Sequence, residues 1–397
     1  MIYLITLLIL VFLSARYDFN SEREFSNKWY NLVLIVLILI AGLRYKVGGD
    51  TIEYFSYFES IKPWSDTNIS DIILGKYALL WNVFATTCKT LSKDFYVLQI
   101  IQASFVNLTI FWFIKKYSKY KFTSVLIYFI FIYLYFNFEI LRESIAVSLF
   151  LIAYSSFERK KWLNYYIIIL VAFLFHPSAI ILFLAPFINL IKFSVESLFI
   201  SGFIFLLIIY TFSTNTGLVE ELLFSEVLET KFHQYSKYSF NLNGIIYSFI
   251  SYILFPLYII IQNKKINEDK KMLFKNMLLF YFIITFTYIT APGLGRFFNY
   301  MTPFMMIYLA DFLNNIYTYE HYNKFKRIYI VSIFLIVIFP KYLYYSADTS
   351  RFYPDTHKYD LWYPYSSIFT KTEYKYRETI FYESIRESSE KHSIKSD

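Results

Sequence analysis

Nowhere in the 397 residues is there a Gly-rich phosphate loop or a DxD pair. Together with the shortness of the basic loops, none longer than about fourteen residues, this leaves no room for a cytosolic nucleotide-binding domain. It argues against a nucleotide-sugar donor. The one cysteine, Cys88, rules out an intramolecular disulfide and leaves the redox compartment unread. No His, Asp and Glu cluster has metal-ligand spacing, so neither metal nor cofactor is expected. Charge is scarce as well, at 17% of residues, against about 25% in soluble domains. Hydrophobic side chains make up 57% and the mean hydropathy is +0.43. Runs such as Leu32–Leu43 and Ile328–Phe339 lack a polar face, which excludes a soluble helical protein with a greasy core.

What is present is a series of apolar runs divided by short basic clusters, from Met1 to about Lys341. The net charge of +8 fits basic loops beside anionic lipid headgroups, and no nucleic-acid partner is expected. Of the 40 Tyr and 45 Phe, some fit interfacial belts and the rest reflect biased composition. The expected fold is all-α, a polytopic membrane bundle of about twelve helices, at 2–15, 29–43, 95–114, 122–138, 140–157, 162–175, 177–191, 195–213, 244–261, 272–291, 297–313 and 328–345. The first run is not a cleavable signal, since it lacks a basic start and leads into Ser14-Ala15-Arg16. Alternate loops carry 19 Lys and Arg on one side and 10 on the other. The richer side is cytoplasmic, which puts both termini outside the cytoplasmic (inner) membrane. Residues 72–91 resemble half a span, broken by Lys76, Asn82 and Lys89. The segment 44–93 is therefore read as external, with an interfacial helix; the alternative is a thirteenth span. Residues 1–345 form the membrane domain and 346–397 a polar external tail. The external loop 214–243, with Glu220, Glu221, Glu226 and Glu229, would cap a cavity.

Ionisable groups at membrane depth are costly and mark partners or wet cavities. Four helix ends on the external side carry them. Arg44 and Asp50 flank Gly48-Gly49, whose freedom would let both face one cavity mouth, with Tyr54 following. Glu139 and Arg142 interrupt the apolar stretch from Phe122 to Phe157, either as an i,i+3 pair or with Glu143 as the arginine's partner. His176 lies in Phe175-His176-Pro177-Ser178, between runs too short to cross. That puts it below the external surface at a proline-broken junction. Arg296 follows Pro292, Gly293 and Gly295, with Tyr300 beyond. Arginine suits bidentate capture of phosphate, so the four places together read as an outward-facing anion site.

At these places the chain resembles the EpsG family of exopolysaccharide synthesis proteins, relatives of Wzy-type repeat-unit polymerases. The pieces are GLRYKVGGDTIEYFSYF at 42–58, LRESIAVSLFLIAYSSFERKKW at 141–162, VAFLFHPSAIILF at 171–183 and GRFFNYM at 295–301. The resemblance covers about 1–345; the tail 346–397 finds no counterpart. The family pattern has Arg-Gln where this chain has Arg142-Glu143, which weakens any carry-over to position 143. The resemblance implies a metal-independent glycosyltransferase. It would join polyprenyl-diphosphate-linked oligosaccharide units into exopolysaccharide, capsule or O-antigen outside the cytoplasm, with a flippase and a chain-length regulator as partners. On that reading Arg44, Arg142 and Arg296 neutralise diphosphate. Asp50 or His176 takes the acceptor's proton, His176 being preferred because imidazole exchanges protons near neutral pH. Tyr54, Tyr300 and Glu139 contact substrate. The rival readings are an outward-facing polyprenyl-phosphate glycosyltransferase, a glycan ligase, or a flippase or transporter of lipid-linked oligosaccharide; internal pseudo-symmetry, frequent in transporters, is not evident.

Overall fold

The computed structural model describes residues 1–20, 24–190, 242–266, 274–290, 292–318 and 345–393, with isolated positions between 325 and 343. The expected span 195–213, the acidic loop 214–243 up to residue 241 and most of 328–345 lie outside them. Among the described residues the chain is helical, without a named strand. Three helices among the described residues are long and apolar enough to cross a membrane: Ile2–Phe19, Tyr96–Tyr117 and Ile246–Asn263. Shorter apolar helices accompany them, among them Ser26–Gly42, Lys121–Tyr133, Trp162–Phe175 and Asn276–Phe286. The first comprises α1 (Ile2–Ser14) and a π turn. Next come α2 (Ser26–Gly42), α3 (Gly49–Ser60), α4 (Leu79–Leu91), α5 (Tyr96–Tyr117) and α6 (Lys121–Tyr128). Two π turns extend α6 to Glu139, and α7 (Leu141–Glu158) and α8 (Trp162–Phe175) follow. Beyond a tight 3-10 stretch, Pro177–Leu190, lie α9 (Leu242–Phe249), α10 (Phe255–Ile266) and α11 (Lys275–Thr290). A second 3-10 stretch, Pro292–Tyr300, leads into α12 (Thr302–Thr318), and α13 (Lys375–Ser393) comes last.

Apolar stripes on the outside of the bundle fit lipid rather than water. Leu4, Leu8 and Phe12 of α1, Leu32, Ile35 and Leu39 of α2, and Leu163, Ile167 and Leu170 of α8 are all exposed. Lipid tails are as apolar as these side chains, so helices hold together by close packing and by buried polar pairs. Gly42 shows the packing: a Cβ there would sit 2.9 Å from the Ile100 backbone, so α2 and α5 touch where no larger residue fits. Polar pairs do the rest. Asn107 donates to Asn137 (2.8 Å), Tyr128 donates to Asn107 (3.0 Å) and Asn137 donates to Tyr128 (2.9 Å), all within the bundle. Tyr30 donates to the Phe111 carbonyl at 2.8 Å. Such contacts contribute about 0.6 kcal/mol each in a membrane.

The segment 44–93 breaks into α3, a short turn of helix at Ile69–Ile73 and α4. At thirteen residues, α4 reaches only about 20 Å. The polar C-terminal segment is fastened to the loop before α3. Tyr45 N donates to Ser366 O at 2.9 Å, Gly48 N to Leu361 O at 2.8 Å and Ile368 N to Leu43 O at 2.9 Å. A small apolar core of Ile52, Leu361, Ile380 and Phe381 seats α13 against α3.

Candidate functional site

The site gathers at the end of the bundle where α2, α6 and α8 stop. Gly48, with φ of +101° and the Phe138 carbonyl 2.7 Å from where a Cβ would be, makes the turn that starts α3. Glu139 then caps that helix: its carboxyl oxygens accept from Gly49 N at 2.9 Å and Asp50 N at 3.0 Å, two N–H groups that the first turn of a helix leaves without partners. This fixes where Asp50 points. Arg142 and Arg296 both act electrostatically on its carboxyl, as does Glu53. Burial first, and Glu53 next, push the Asp50 carboxyl up to about 6, against the pull of the two arginines.

Arg142 begins α7, and its Nε donates to the Tyr54 hydroxyl at 3.1 Å. Its guanidinium lies 4.1 Å over the Tyr77 ring. Among the described residues no carboxylate comes within salt-bridge distance of it, and its Nη groups have no hydrogen-bond partner. Neither of the two pairings open to Arg142, with Glu139 or with Glu143, forms. Ile140, at φ −88° and ψ 53°, interrupts the helix between Glu139 and Arg142, so i,i+3 neighbours no longer share a face. Glu143, 1% exposed, accepts from Asn299 Nδ2 at 2.8 Å through one oxygen, while the other has no hydrogen-bond partner.

On the other side, α8 ends at Phe175 and His176 takes an extended conformation before Pro177. The buried imidazole links two elements. Its Nε2 meets Arg296 Nη1 at 3.1 Å, and its Nδ1 meets Ser178 Oγ at 2.6 Å. Ser178 Oγ in turn meets the Tyr300 hydroxyl at 2.8 Å. A guanidinium only donates, so Nε2 accepts from Arg296, while Nδ1 faces both the Ser178 hydroxyl and, at 3.3 Å, the Ser178 N–H. Arg296 also acts on Glu143, Tyr54 and Tyr300.

The structure thus brings together Asp50, Tyr54, Arg142, His176, Arg296 and Tyr300, from segments up to 250 positions apart. Arg44 stands apart from them. It is 1% exposed, its Nη2 donates to Thr51 at 3.0 Å and its Nε to Val47 O at 3.3 Å. Its Nη1 donates to Ala41 O, and its guanidinium lies 4.5 Å over Phe138. The glycine turn is where the sequence puts it, but it directs Arg44 inward and Asp50 towards the other two arginines. Sequence reasoning missed Glu53, Tyr77, Ser178 and Asn299. Of these, Ser178 had a signal two residues from His176, and Asn299 one three residues from Arg296. Among the described residues no group of three His, Cys, Asp or Glu could hold a metal ion.

A cavity of about 500 Å³ opens beside the arginine. Arg296, Asn299 and Tyr135 line it together with Ile132, Phe255, Ile259, Met306 and Leu309. It is a largely apolar slot with a cation in its wall.

The model of the EpsG family matches residues 27–367. The chain belongs to the EpsG family. No curated protein and no solved structure matches it. EpsG membership brings a role in exopolysaccharide synthesis, and the apolar helices make this a membrane protein. The family match takes in every residue of the site. It also runs past 345, where the resemblance drawn from the motifs stops, through the strand of chain that pairs with the loop before α3.

Proposed function

We propose that the protein polymerises polyprenyl-diphosphate-linked oligosaccharide units at the outer face of the cytoplasmic membrane, on a bundle of about twelve spans with both termini outside. The observation that carries this reading is the pairing of Arg296 with His176 beside an apolar slot, with Arg142 acting on the same Asp50 carboxyl as Arg296. An isoprenoid chain fits the slot, and its diphosphate meets Arg296 and the unspent Nη groups of Arg142. Bond making follows from these groups. The acceptor hydroxyl attacks the anomeric carbon of the donor sugar, the carbon–oxygen bond to diphosphate breaks, and the electron pair leaves with the diphosphate, whose charge the two arginines neutralise. The hydroxyl proton goes to His176 Nε2 or to Asp50. Arg296 couples the steps: when diphosphate draws its guanidinium away, the imidazole lone pair is released.

In a strain lacking the protein, His176→Ala and Arg142→Ala are each expected to leave single repeat units on lipid instead of polymer, at normal protein levels. Full-length polymer from both variants would overturn the assignment. Products distinguish the rival transferases, since a ladder of repeats comes from a polymerase and a single addition does not. A flippase and a chain-length regulator are the expected partners.

A further inference from the structure

A second cleft, of about 450 Å³, lies between α3 and α13. Glu53, Ser56, Tyr57 and Ser60 line one wall, Tyr382 and Ile385 the other, with Lys76 at its edge. We propose that this cleft holds the glycan portion of the substrate, so that the C-terminal helix is part of an oligosaccharide-binding site; this rests on the polymerase reading above.

The chemistry of the walls suits sugar. A pyranose offers apolar C–H faces and a rim of hydroxyls, and tyrosine supplies a flat ring with a polar tip. Tyr57, whose hydroxyl donates to Asn82 at 2.8 Å, and Tyr382 offer rings from opposite walls. Serine hydroxyls and the Glu53–Lys76 ion pair, 2.7 Å apart, give acceptors and donors for the rim. That ion pair makes the cleft a poor site for a lipid tail, in contrast with the apolar slot beside Arg296.

The cleft is also built rather than incidental. Ile380 and Phe381 are buried against Ile52 and Leu361 and fix the register of α13. Their neighbours Tyr382 and Ile385 are left 46% exposed, facing the α3 wall. Ser56 Oγ lies 3.4 Å from the Tyr382 hydroxyl, which sets the spacing of the walls. It is continuous with the cationic site, too. Glu53 accepts from the Tyr77 hydroxyl at 3.0 Å, and Tyr77 is the ring on which Arg142 lies. A sugar joined to a diphosphate at Arg142 therefore passes Glu53 and enters the cleft along α3.

The test uses full-length protein in detergent and, as probe, oligosaccharides released from the host's own exopolysaccharide by partial acid hydrolysis, titrated calorimetrically. Wild type is expected to bind. Tyr382→Ala is expected to weaken binding at least tenfold and to shorten the polymer in cells, while Tyr382→Phe, which keeps the ring, retains most of it. Ser60→Trp, filling the cleft from the other wall, is expected to block binding without touching α13. Arg142→Ala is expected to bind the probe normally, because the probe carries no diphosphate, although polymer is lost. Failure of the polymerase reading would appear as no lipid-linked single units in Arg142→Ala cells, whatever the binding result. Wild type that fails to bind, or Tyr382→Ala and Ser60→Trp that bind as wild type does, would overturn the glycan cleft.

Discussion

Arg44 and Arg142 are the same side chain at the same end of the bundle, and the protein uses them in opposite ways. Arg44 gives Nε, Nη1 and Nη2 to Val47 O, Ala41 O and Thr51 and lies against Phe138. Arg142 gives Nε to Tyr54 and rests on Tyr77. A guanidinium whose three nitrogens all donate to partners within ten residues of it is a fastener. One with donors in reserve, stacked on an aromatic face, is ready for an anion.

The comparison breaks most readily at Arg44. Arg44→Ala takes the side-chain donor from the Ala41 and Val47 carbonyls in the interior, while Thr51 keeps its bond to the Phe138 carbonyl, and is expected to cost roughly 3 kcal/mol. The readout is a lower melting temperature and less protein in the membrane, whereas Arg142→Ala keeps its protein and loses polymer. Equal thermal stability of the two variants would erase the distinction. A smaller effect sharpens the other side of it. The Asp50 carboxyl is raised to about 6, so it is protonated below that pH and ionised above. Polymer formation in membranes is expected to rise as pH passes upward through about 6, and Asp50→Asn to remove that rise. The sign for stability is the reverse: the folded state holds this proton more tightly than the unfolded chain, so Asp50 favours the fold at acid pH, and that contribution is lost as pH rises from about 4 to about 6. The smallest effect belongs to Lys46, which donates to Glu373 at 3.2 Å and Glu378 at 2.9 Å near the surface. Lys46→Ala is expected to lower stability by less than about 1 kcal/mol, and by less still in high salt.

Helices were legible where lipid alone decides them. The apolar runs at 2–15, 95–114 and 244–261 correspond to Ile2–Phe19, Tyr96–Tyr117 and Ile246–Asn263, because hydropathy responds to the solvent and not to neighbours. The convergence of Asp50, Arg142, His176 and Arg296 was legible from charges at helix ends on one side. The fate of individual donors was not. Arg44 and Arg142 look alike in sequence, since what separates them is whether a backbone carbonyl happens to be within reach. Tyr77 lay in a segment that reads as interfacial and gave no hint that its ring would carry an arginine. The C-terminal segment was legible in part: residues 372–390 read either as an amphipathic helix on the outer surface or as disorder, and the structure has the helix Lys375–Ser393. What the sequence does not reveal is its seat, because Leu361, Ile380 and Phe381 meet Ile52 only once the chain has folded back on α3.

Tyr3 donates to the Trp362 carbonyl at 3.1 Å across 359 positions of chain, and Tyr365 to the Ile40 carbonyl at 3.0 Å. Contacts this distant in sequence form last, since the whole intervening chain must be synthesised and inserted before they can close. Until residue 368 has left the ribosome, Leu43, Tyr45 and Gly48 lack the backbone partners that hold the turn into α3. A nonsense codon shortly after 345 would spare the apolar helices and leave the turn into α3 held from the Glu139 side alone, so that completion of translation doubles as the step that closes the far side of that turn.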